Sequence, residues 1–123
     1  MPPEEKDAAL LWDMIQASRD LDGFIKDRTW EHYHSDKMLR AAVERMIMII
    51  GEAASKLSKD FRLQNPGVPW AAIIATRHIV VHDYGRVDDE KIWRVATMHV
   101  PTLVATIDSL LPPPPPDPAP EPE

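Results

Sequence analysis

"DKMLRAAVERMIMIIGEAASKL", Asp36 to Leu57, decides the fold. Met38, Leu39, Ala42, Val43, Met46, Ile47, Ile49, Ile50, Ala53, Ala54 and Leu57 recur at helical spacing. The stretch therefore predicts a helix over 36–57, with Ser35 or Asp36 as its N-cap. Its apolar positions exceed a single stripe. A helix apolar around most of its circumference is either central or buried against another chain. In a domain this small both are expected: one face on the core, and one, around Met46, Ile49, Ile50 and Ala53, on a partner subunit.

The pattern continues on both sides. Upstream, Leu10, Leu11, Met14, Ile15, Ala17, Ser18, Leu21 and Ile25 predict a helix from about Glu4 to about Lys26. Glu4, Glu5 and Asp7 in its first turn suit the helix dipole, and Gly23 weakens its end. "KDRTWEHYHSD" reads as a polar connection that holds His32 and His34. Downstream, "QNPGVPW" is turn chemistry. A third main helix starts near Pro69 and stops around His82 to Tyr84, before Gly85. Asp88 caps a last helix, Val87 can staple to Ile92, and Pro101 kinks it on the way to Leu110. No stretch alternates as a strand. The fold class is all-α: a four- to five-helix bundle, mostly antiparallel, occupying residues 1–111. Residues 112–123, "PPPPPDPAPEPE", form a Pro-rich acidic extension that is disordered or polyproline-like.

Composition narrows the function. The chain has 123 residues, 44% of them hydrophobic, which suits one core. It has no cysteine, which excludes disulfides, thiol catalysis and zinc-thiolate sites. "MPPEEKDAAL" lacks the basic and apolar regions of a secretory signal, and the run "MIMIIGEAA" is too short to span a bilayer. A soluble cytoplasmic protein is expected, with no membrane association. The net charge is −6, and Asp117, Glu121 and Glu123 of the tail carry half of it. A simple nucleic-acid coat would be basic. RNA, if bound, must meet locally concentrated basic residues.

Chemistry concentrates in "TRHIVVHDYGRVD", Thr76 to Asp88. Arg77, His78, His82, Asp83 and Tyr84 fall within eight residues. Positions 77 and 82 lie roughly 140° apart on an ideal helix, so they converge only if the helix end tightens or unwinds. Each also has a structural use. His82 suits a helix C-terminus, and Arg77 can pair with Glu44 or Glu52. The chemical use is RNA cleavage without a metal. A histidine near neutral pKa moves protons to and from ribose and leaving-group oxygens, and an arginine fork stabilises the phosphorane. One chain offers one such set, and a two-fold dimer offers two. His78 and His82, at i and i+4, could chelate zinc, but a third and fourth ligand are not evident. No metal and no cofactor are expected.

Arg77, four residues, His82, one residue, Tyr84 resembles the R-x4-H-x-Y motif of the HEPN superfamily, and the surroundings resemble its HepT-like toxin family. "ER…IIGEA" within residues 36–57 resembles the family's second helix. "NPGVPWAAIIATRHIVVHDYGRVDDEKIW" and "HVPTL" resemble its later segments. The resemblance covers nearly all of residues 8–111. It implies a HEPN homodimer with an RNA-cleaving cleft at its interface. Arg77 and His82 match the catalytic positions. Tyr84 matches the tyrosine to which a nucleotidyltransferase antitoxin transfers AMP, silencing the toxin. His78 stands where many relatives carry Asn and is a supporting residue, as is Asp83. The rival reading is a non-catalytic HEPN module that binds nucleotide or docks a nucleotidyltransferase.

Overall fold

The computed structural model describes residues 5–82 and 88–111, and residues 79–82 in backbone only. The expectations for Asp83, Tyr84, the Val87 staple and the 112–123 tail lie outside the described residues. Four helical rods build an all-α bundle: α1 (Glu5–Ile25), α3 (Lys37–Lys56), α5 (Trp70–His82) and a last rod of α6 (Asp89–Arg94), a π-helical turn (Val95–His99) and α7 (Val100–Asp108). Two short helices, α2 (Trp30–Ser35) and α4 (Lys59–Gln64), fill the connections. No strand occurs among the described residues.

α3 is the axis. It packs against α1 on one side and α5 on another. Val43, Ile47, Ile50 and Ala54 of α3 are buried with Leu11, Met14, Ile15 and Leu21 of α1. Ile92, Ala96, Val100, Leu103 and Ile107 of the last rod close the core. This central position absorbs much of the excess apolar circumference. Ile50 and Ala53, expected on a subunit interface, are 3% and 5% exposed inside the chain's own core. Met46, Met48 and Ile49 remain half-buried, and Met38 stands out at 83% exposure.

The element ends follow from local chemistry. Asp36 caps α3, its carboxylate accepting from Leu39 N at 3.0 Å. Gly23 does not end α1. The chain turns two residues after the helix at Asp27, whose φ of 60° is left-handed, and Arg28 N donates back to Ile25 O at 3.0 Å. Ser58 caps α4 and is itself held by buried Asp7, which accepts from Ser58 N at 2.8 Å and Ser58 Oγ at 2.6 Å. That pair ties the first turn of α1 to the far end of α3.

The connection read as polar is helical in part, and a further short helix fills the stretch between α3 and the QNPGVPW turn. Thr29 caps α2 by accepting from His32 N, and Tyr33 is fully buried beside α3 and α6. α4 buries Phe61, whose ring lies 6.2 Å from that of Trp70. Each helix spans six residues, too short for periodicity to announce it. The structure meets Pro101 with the π-helical turn one step earlier. A proline ring crowds the carbonyl four residues back, here that of Thr97, and a wider turn makes room. Thr97 Oγ1 donates to Trp93 O at 2.8 Å within this region.

Candidate active site

Arg77 sits half-buried on α5 where that helix crosses α3. The crossing is close because position 51 of α3 carries no side chain. A Cβ on Gly51 would overlap Arg77 Cβ and stand 3.3 Å from Ile73 O. Glycine costs about 1 kcal/mol relative to alanine inside a helix, and here it allows the backbone approach. Helical spacing does not single out Gly51, although a glycine inside a strongly apolar helix is itself a signal of close approach.

Arg77 shares its surroundings with Glu52, Lys56 and Arg45, so the local charge is mixed. The Glu52 carboxyl is held below its ordinary range, first by the hydrogen bond and charge of Lys56, whose Nζ lies 3.1 Å from Oε1, and then by Arg77 and Arg45. Glu52, rather than Glu44, is therefore the carboxylate that feels the Arg77 guanidinium. His78, one residue on, is exposed. The α-helical backbone of α5 runs through His82 without unwinding. Positions 77 and 82 thus stay roughly 140° apart around one helix. The side chain of His82, with Asp83 and Tyr84, lies outside the described residues.

Asp88 opens the far side of that segment by capping α6, its Oδ1 accepting from Lys91 N at 3.2 Å. Next to it, Asp89 Oδ2 lies 3.3 Å from His34 Nδ1 and 3.8 Å from Arg40 Nε, and Arg40 also donates to His34 O. Burial pushes the Glu44 carboxyl up, the Asp89 charge adds to this, and Arg40 opposes it. Tyr33 lies in the same corner. Its hydroxyl is buried without a hydrogen-bond partner among the described residues, and burial followed by the Glu44 and Asp89 charges pushes its pKa up. This network of α2, α3 and α6 fixes where the chain re-enters a helix after Tyr84. Nothing in the polar sequence around His34 points to this role, which depends on α2 packing beside α3 and α6.

A groove of about 510 Å³ runs between α5 and the last rod. Ile73, Ile50 and Leu103 line its apolar part, with Lys91, Arg94 and His99 at its edge. Arg77 is turned towards α3 instead. Among the described residues no three His, Asp or Glu side chains gather as metal ligands, and no helix is long and apolar enough to cross a membrane.

The family model described as "Ribonuclease HepT-like" matches residues 14–110, from the middle of α1 to the end of α7. The chain belongs to the HepT-like ribonuclease family. A candidate RNase of Methanocaldococcus jannaschii is 33% identical over 81% of this chain and 92% of its own length. A second candidate RNase of that organism is 30% identical over 89% of this chain and 90% of its own. A probable ribonuclease HepT of Thermococcus cleftensis is 29% identical over 81% and 91%. No solved structure matches the chain. Family membership makes ribonuclease the activity class for this HepT-like chain. The matched span includes Arg77, His78, His82, Asp83 and Tyr84, and stops short of the 112–123 tail.

Proposed function

We propose that this chain is the RNA-cleaving toxin of a toxin–antitoxin pair, acting without a metal as a homodimer. Arg77 clamps the scissile phosphate. His82 takes the proton from the ribose 2′-hydroxyl, whose oxygen attacks phosphorus. The P–O5′ bond breaks, giving a 2′,3′-cyclic phosphate, and the departing 5′-oxygen takes a proton from a second histidine. The dimer supplies that second histidine as His82 of the other copy. The observation that carries this reading is the unbroken α5. With positions 77 and 82 splayed around one helix, the pair is better completed by two copies facing one phosphate. His78 and Asp83 support the site.

Tyr84 is the regulatory acceptor in this reading. A nucleotidyltransferase antitoxin transfers AMP from ATP to its hydroxyl with release of pyrophosphate. The added phosphate then competes with RNA for Arg77.

The test is expression with and without the neighbouring nucleotidyltransferase, RNA-end mapping and intact mass. Arg77→Ala and His82→Ala should each slow cleavage by about 100-fold or more. EDTA should leave the rate unchanged, and Tyr84→Phe should stay toxic beside the antitoxin. The acidic net charge of −6 favours the rival, a non-catalytic module that docks the nucleotidyltransferase. RNA ends unchanged by the wild-type chain would decide for that rival.

A further inference from the structure

Beside the α6 entry, on the outer face of α2 and the last rod, lies an opening of about 430 Å³ lined by Trp30, Glu90, Trp93, Arg94, Thr97 and Met98. Both indoles are half-buried, so part of each ring system stays accessible. Each is backed by a second ring. Trp30 stacks on His34 at 5.0 Å and 24°, and Trp93 lies 5.0 Å from fully buried Tyr33. Rings packed in this way are preorganised and lose little freedom on binding. Met98 stands beside them with 62% of its surface in water, an exposure that the chain's own core does not use.

We infer that this opening is a stacking site for one unpaired nucleobase of single-stranded RNA. The inference rests on the ribonuclease reading and names where its substrate is held. Charge selects the base over the phosphate. Glu90 repels a phosphate, and with the tail set aside the chain still carries −3, so affinity cannot come mainly from neutralising the backbone. Base–aromatic stacking needs no basic surface. Arg94 in the lining offers a cation to the face of a bound base, and Glu90 offers an acceptor to an exocyclic amine at the base edge. Position suits the role. Glu90 lies six positions after Tyr84 in the chain, a reach of at most about 20 Å, and Asp89 ties the start of α6 to His34 of α2 and Arg40 of α3.

The experiment uses the full chain and a short single-stranded oligoribonucleotide of mixed sequence, with cleavage by the wild-type chain followed in parallel. Binding is read by fluorescence anisotropy in the cleavage-deficient His82→Ala background. Trp30→Ala should raise Kd by about 5- to 150-fold, the range of one lost base stack, and Trp30→Phe should regain most of it. An abasic nucleotide is then placed at each position in turn. One position should cost the same factor in wild type and nothing further in Trp30→Ala. Arg94→Gln, at an exposed site, should show the same coupling more weakly if Trp30→Ala fails to fold. Losses that multiply at every abasic position, or variants that bind RNA as wild type does while losing the antitoxin, would overturn the inference and make this a protein-docking face. A wild-type chain that shows the coupling without cleaving RNA would instead sink the ribonuclease reading. One that cleaves without coupling sinks only the base site.

Discussion

Glu44 shows how one side chain links the re-entry of α6 to pH. Its carboxyl is pushed above the ordinary 4.5, first by burial and then by the Asp89 charge, with Arg40 in opposition. A raised folded pKa means that the folded state prefers the neutral acid. Stability from this group is present below pH 4.5 and is lost as pH rises through the raised value. Glu44→Gln keeps the shape and abolishes the charge. Urea melts should place it level with wild type near pH 4 and above wild type at pH 7. A variant that is less stable at pH 7 would mean that the Arg40 attraction outweighs burial. The motif around Arg77 stands out in the sequence because five polar residues crowd into eight positions. This acidic corner does not. His34, Arg40, Glu44 and Asp89 come from three helices, and only packing brings them together.

At the scale of elements, the four rods were legible because each carries ten or more residues of helical spacing, and their ends fall at Asp36 and Asp88 as the capping rules expect. α2 and α4 were not, since one buried aromatic in six residues leaves no period to read. The exchange of Ile50 and Ala53 from an expected interface to the core has a similar cause. Periodicity reports how much of a helix is apolar, but not which neighbour covers each face. Gly51 is where element packing meets the site. Alanine there gains about 1 kcal/mol of helix propensity. Its Cβ, however, overlaps Arg77 and crowds Ile73 O, so α3 and α5 must separate. Overpacking of this kind costs about 1–3 kcal/mol, so Gly51→Ala should be net destabilising in urea melts. It should also lower RNA cleavage by more than the loss of folded chain explains, since Arg77 moves with α5. An alanine variant as stable and active as wild type would show that the crossing has room to spare.

On the scale of the whole molecule, the question is whether one chain can hold the reaction by itself. α5 gives each copy Arg77 and His82, splayed roughly 140° apart by the helix that carries them, with His78 between. If two copies meet with their α5 ends together, one cleft holds two copies each of Arg77 and His82. Arg77→Ala then empties both Arg77 positions, and His82→Ala empties both His82 positions. A mixed dimer of the two variants keeps one of each. Co-refolding or subunit exchange of the two inactive chains should therefore restore cleavage to at least about tenfold above either alone, because acid–base catalysis contributes about 100-fold or more. Light scattering on the same samples should give twice the chain mass. If each chain works alone, every site in the mixture still lacks a residue, and the rate stays at the average of the two variants. A mixture that remains inactive while the dimer mass is present would separate assembly from catalysis. It would mean either that one His82 cannot serve as both base and acid in the shared cleft, or that Arg77 and His82 act in one self-contained site per chain.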